Sequence, residues 1–142
     1  MSCGRGKLDA MTESDAATAS LRPTDAIVLT GLRVRAHHGV FDFERENGQD
    51  FVVDVTAHLD LSPSAVSDDL SRTVHYGELA VEVADAVRRD PVDLIETVAE
   101  RVAAVVLAHE PVHSVEVTVH KPDAPIEVPF DDVAVRILRG RS

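Results

Sequence analysis

From Phe51 to Leu61 the chain reads FVVDVTAHLDL, so that Phe51, Val53, Val55, Ala57 and Leu59 fall on one side of an extended backbone and Asp54, Thr56, His58 and Asp60 on the other. A period of two sends successive side chains to opposite faces, which predicts an antiparallel strand with one dry face and one wetter face. A sheet that is dry on one face needs a second layer against it. That layer is legible further along, where apolar residues recur at three- and four-residue spacing. One helix is predicted over about residues 77–89, burying Leu79, Val83 and Val87. Asp90–Pro91 closes it, because the residue before a proline is disfavoured in helical backbone. A second helix is predicted over about residues 92–109, with Leu94, Ile95, Val98, Val102, Val105 and Val106 facing inward.

Three further runs read as strands. AIVLTGLRVRA, 26–36, comes first, with a bend expected at Gly31. VHSVEVTVHK places Val115, Val117 and Val119 on one face, and DVAVRILR closes the chain's periodic part. HHGVFDFERENG reads as a polar loop, SPSAVSDDLSRTVHY as a turn-rich connector and PDAPIEVP as a proline-broken loop. The order is β-β-α-α-β-β, an α+β domain in which two helices cover one face of a four-stranded antiparallel sheet.

A single domain is expected over residues 24–142, preceded by a mobile tail, 1–23, that is rich in Ser, Thr, Ala, Asp and Gly and has no apolar period. The tail lacks the apolar stretch of a secretory signal, and no run approaches the roughly 18 apolar residues of a membrane span. Fourteen basic against 25 acidic residues leave a net charge of −11, which argues against nucleic acid as a partner. Cys3 is the only cysteine, so no disulfide can form within the chain, and a reducing cytoplasm is the expected location. Four Phe, one Tyr and no Trp leave a modest core, and open sheet edges invite pairing, so a homo-oligomer is expected.

Four polar residues stand where their surroundings are otherwise structural: Glu44, Tyr76, Glu96 and Lys121. Spacing alone leaves each open. Glu96 fits the positive end of a helix dipole, Tyr76 a boundary aromatic, Lys121 a strand-edge charge and Glu44 a solvated loop. No glycine-rich phosphate loop, G-x-S-x-G or C-x-x-C occurs, and no H-E-x-x-H zinc pattern is expected. The seven histidines read as scattered loop and surface side chains, so neither a metal nor another cofactor is expected.

HHGVFDFERENGQDFVVDV, TVHYGELA, LIETVAERV and VTVHKPDAPI, in that order, resemble the dihydroneopterin aldolase family of folate biosynthesis, with the resemblance running from about Ile27 to Arg139. The resemblance implies the tunnelling fold, in which β-β-α-α-β-β subunits join their sheets into a barrel and four-membered rings stack as octamers. It also implies a retro-aldol cleavage of 7,8-dihydroneopterin at a site between subunits. Residue by residue, it puts the glutamate of the H-G-x-x-x-x-E segment on Glu44 and the tyrosine of V-H-Y on Tyr76, with Val74 and His75 beside it. The pterin-anchoring glutamate falls on Glu96, the residue before it on Ile95, and the proton-handling lysine on Lys121. The family often reads P-P-I-P after the lysine; this chain reads APIEVP. A triphosphate epimerase on the same scaffold and a non-catalytic pterin-binding domain are the competing readings.

The chemistry suits these residue types. A carboxylate accepts two parallel hydrogen bonds from the amino group and ring N–H of a pterin edge. Carbon–carbon scission needs an electron sink, which other aldolases supply as a lysine Schiff base or a zinc ion. A dihydropterin carries its own C=N bond beside the breaking carbon, so only proton traffic remains. A lysine in a partly dry cleft can carry it.

Overall fold

The alternating segment forms the middle of the sheet. In the computed structural model, which describes residues 24–141, the order is β1 (Ala26–Ala36), α1 (Asp42–Asn47), β2 (Gln49–His58), α2 (Ser62–Ser67), a 3-10 turn (Leu70–Arg72), α3 (Tyr76–Arg88), α4 (Ile95–Leu107), β3 (Ser114–His120) and β4 (Ala134–Gly140). The tail expected over residues 1–23 lies outside the described residues.

The four strands pair antiparallel in the order β1-β2-β3-β4. β2 runs against β3 from Val52 opposite His120 to His58 opposite Ser114. Phe51, Val53, Val55, Ala57 and Leu59 are fully buried, as are Val115, Val117 and Val119, so the alternation marks the dry face correctly. The register of β1 shifts between Leu29 and Leu32, around Gly31 at φ 73°. A left-handed backbone is cheap for glycine, and the bend falls where a glycine interrupts the strand.

Helices α3 and α4 cover the dry face with Leu79, Val83, Val87, Val98, Val102 and Val106. Their limits differ from the periodic reading. α4 begins at Ile95, and Leu94, expected in the core, is its N-cap and 49% exposed. The backbone just upstream is bound elsewhere: Val92 N–H donates to His38 Nδ1 at 3.0 Å and Val92 O accepts from Gly39 N–H at 2.9 Å. α3 stops at Arg88, and Asp90 takes φ 44° ahead of Pro91. Arg101 of α4 donates to the Arg89 and Asp90 carbonyls at 2.6 and 2.7 Å, closing that end.

Two short helices correct the expected loops. α1 and α2 have six residues each, too short to display an apolar repeat. α1 buries only Glu44, and α2 buries nothing.

Candidate active site

Where β1 ends, β2 begins and β3 ends, one corner of the sheet gathers the polar groups. Alternation along β3 puts residue 121 on the same side as Val115, Val117 and Val119, facing the helix layer. Lys121 N–H donates to Val133 O at 2.8 Å, extending the ladder one residue past β3, and Pro122 then turns the chain away. The side chain, 12% exposed, places Nζ 2.7 Å from Glu44 Oε2.

Glu44 reaches that point because α1 folds it there. It is the third residue of the helix, and its Oε1 accepts the Phe41 N–H at 3.2 Å, the carboxylate half of a capping box. Gln49 Nε2 donates to Oε2 at 3.1 Å. Gly39 must be a glycine: at φ 153°, a Cβ there would sit 2.3 Å from the Glu44 carboxyl. Burial by itself would raise the Glu44 carboxyl, but donation from Lys121, the Phe41 N–H and Gln49 outweighs it, so the group lies below its ordinary 4.5. The pair is a carboxylate facing an ammonium.

The loop carrying Glu44 is fastened to the start of α4. Arg45 Nε donates to Gly39 O at 2.9 Å, and its Nη2 meets Asp93 Oδ1 at 2.5 Å. Beneath them His38 is completely buried, correcting the reading of surface histidines. Its Nε2 donates to Val87 O while its Nδ1 accepts from Val92 N–H, which fixes a neutral tautomer. Desolvation accordingly depresses its pKa from the ordinary 6.5, the opposing hydrogen bond to Val87 notwithstanding.

Ile95 is buried at the first position of α4, and Glu96 follows it, exposed, in the first turn. A hollow of about 530 Å³ opens there, walled by Val40, Arg45, Val92, Asp93, Leu94 and Thr97. Neither Lys121 nor Glu96 is among its walls. Val74 is buried, while Tyr76, first residue of α3, is 70% exposed. Of the residues singled out in the sequence, the chain by itself thus brings together Glu44 and Lys121 and leaves Tyr76 and Glu96 exposed. Gln49, Arg45 and His38 escaped the sequence reading. Gln49 had a signal, since a polar residue at 49 sits in the inward series of β2, and its Oε1 is buried without a partner among the described residues.

The expected absence of an H-E-x-x-H pattern needs correcting: His109–His113 spells it in letters, a zinc pattern when it lies on a helix. Here α4 ends at Leu107, Pro111 interrupts the segment, and His113 opens the pairing with β2 by donating its N–H to His58 O at 2.8 Å. His109 instead contacts Glu82 at 2.6 Å. Among the described residues no group of three or more His, Cys, Asp or Glu side chains is placed to hold a metal ion.

The sheet order and the helix layer define the tunnelling fold, with the buried Glu44–Lys121 pair at the sheet's corner. The family profile described as dihydroneopterin aldolase matches residues 27–138, and the chain belongs to that family of enzymes. It is 59% identical over 117 residues to a dihydroneopterin aldolase of Streptomyces coelicolor, covering 82% of this chain and 98% of the relative. Its structure is similar to that of E. coli dihydroneopterin aldolase in complex with neopterin, with a TM-score of 0.75 and 32% identity, covering 82% of this chain and all of that one (100%). A dihydroneopterin aldolase of Burkholderia thailendensis bound to guanine is similar with a TM-score of 0.69 and 29% identity, covering 83% and 92%.

Proposed function

We propose that this chain is a 7,8-dihydroneopterin aldolase, releasing 6-hydroxymethyl-7,8-dihydropterin and glycolaldehyde in tetrahydrofolate biosynthesis. The observation that carries the reading is the Lys121 ammonium 2.7 Å from the buried Glu44 carboxylate, in a family member. The Lys121 amine, its ammonium proton first passed to solvent, takes the proton from the hydroxyl on the second side-chain carbon. That oxygen becomes the aldehyde of glycolaldehyde, the bond to the first carbon breaks, and its electrons enter the pterin C=N as an enamine. A proton delivered to the first carbon restores the imine and leaves the hydroxymethyl group. No imine to lysine and no metal is required. Lys121 exchanges the protons, Glu44 keeps its amine aimed, and Gln49, with a free buried oxygen, is suited to a substrate hydroxyl.

Glu96 anchors the pterin through its amino group and ring N–H, beside Ile95. The ligands named for the two solved relatives, neopterin and guanine, share that hydrogen-bonding edge. Tyr76, with Val74 and His75, comes from a neighbouring subunit, in stacked four-membered rings in the cytoplasm. An exposed Tyr76 and a hollow that reaches neither Lys121 nor Glu96 suit a site completed that way. A triphosphate epimerase is disfavoured because Arg33 and Arg35 share Asp50 while Arg45 faces Asp93 and Arg72 faces Asp69, so the four do not gather at one site. Incubation of the protein with 7,8-dihydroneopterin tests the reading: glycolaldehyde should accumulate equally with and without chelator. Inversion of the hydroxyl without cleavage would make it an epimerase, and inhibition reversed by zinc would overturn the metal-free route.

A further inference from the structure

The open face of the sheet carries a second group of titratable side chains, back to back with the Glu44–Lys121 pair. His120, the last residue of β3, points away from the core. Its Nε2 lies 2.7 Å from Asp54 Oδ2 on β2, and its Nδ1 2.6 Å from Asp132 Oδ2, just ahead of β4. Asp54 Oδ1 is already occupied, accepting the Gly31 N–H of β1 at 2.8 Å. Three strands and the return of the 121–133 loop therefore meet at one imidazole. A ring with a carboxylate oxygen on each nitrogen must donate from both, which only the imidazolium can do. The hydrogen bonds to Asp132 and then Asp54 raise its pKa above 6.5, burial opposing them. Elsewhere on this face Arg136 pairs with Glu116 at 3.3 Å, Arg33 and Arg35 share Asp50 at 3.8 and 3.7 Å, and His58 lies four residues further along β2 than Asp54.

We propose that the His120 imidazolium is a positioning residue for Lys121: by tying Asp54 to Asp132 it braces the backbone closure of the 121–133 loop and fixes the peptide from which the lysine amine reaches Glu44 on the opposite face. Adjacent residues of a strand share one peptide unit, so holding the ring on one side sets where the next side chain leaves on the other. A neutral ring donates to only one of the two carboxylates, and the side-chain brace is then lost, leaving the Lys121 N–H to Val133 O bond as the loop's closure. The catalytic part of this inference rests on Lys121 being the proton carrier.

The chain contains only two lysines, Lys7 and Lys121, so acylation of Lys121 by an amine reagent is read directly from peptide masses. Asp132→Ala, at an exposed position, and His120→Gln should each acylate several times faster at Lys121 than wild type at pH 6. In wild type, the rate corrected for the amine's own ionisation should step up as pH rises past 6.5, and the step should be absent in both variants. Turnover should fall about tenfold to a hundredfold with neopterin affinity unchanged within about twofold, as a displaced catalytic group requires. Unchanged acylation with an unchanged pH step would overturn the clamp, whatever the kinetics. Faster acylation with wild-type turnover would uphold the clamp and overturn Lys121 as the proton carrier.

Discussion

A carboxylate only 3% exposed is tolerated at residue 44 because three donors surround it. Taking Glu44 away strands the Lys121 ammonium, whereas taking Lys121 away leaves Glu44 two donors. Glu44→Ala should therefore destabilise by about 3 kcal/mol, the lower end for breaking a buried pair, and Lys121→Ala by clearly less. Urea denaturation of the two variants checks this, and equal losses would show that the pair's burial is not what matters. Glu96 is different: it is exposed in the first turn of α4, so its neutralisation should cost only about 0.3–1 kcal/mol of stability. Its role as pterin anchor predicts that Glu96→Gln weakens neopterin binding about tenfold to a hundredfold, the scale of a charged hydrogen-bonded contact. An unchanged dissociation constant by calorimetry would leave Glu96 as a helix-end charge.

The segment from His37 through α1 decides the site, and it is the part least legible in the sequence. β2, β3 and the inward faces of α3 and α4 were readable because long periodic runs repeat one burial decision many times. Residues 37–48 make each decision once: a glycine under a carboxylate, a histidine between two backbone groups, an arginine across to Asp93. Its residue type and surroundings mark Glu44 as a candidate, but only the resemblance gives it a role, and nothing in the spacing pairs it with Lys121. Gly39→Ala should push the Glu44 side chain out of its place and abolish turnover while the helix layer still folds. Wild-type turnover in that variant would deny the close approach.

Two histidines give this corner opposite pH dependences. His38 is held neutral, so its contribution is present above 6.5 and shrinks as the unfolded chain takes up a proton below it. His120 has a raised pKa, so its contribution is full below 6.5 and is lost as pH rises through the folded value. Melting temperature should thus fall on both sides of a maximum, and His120→Gln should flatten the alkaline side alone. Loss of the acid side in that variant would contradict the assignment.

At the scale of the molecule, β1 and β4 are left as edges, Leu138 and Val28 are exposed on them, and Tyr76 points into solvent. A chain with so few aromatics and such an outline is completed by copies of itself in the proposed reading. Co-expressed Lys121→Ala and Tyr76→Ala chains should then recover turnover that neither has alone, since mixed interfaces rebuild intact sites. Failure to recover, with mixed oligomers demonstrated by mass, would put both residues in one subunit's site.

The most direct measurement is single-turnover cleavage of saturating 7,8-dihydroneopterin by Lys121→Ala. Near-normal pterin binding is expected, with cleavage slowed by about 10²–10⁴, the range for a lost general acid–base group. Cleavage within about tenfold of wild type would contradict a lysine working as the proton carrier.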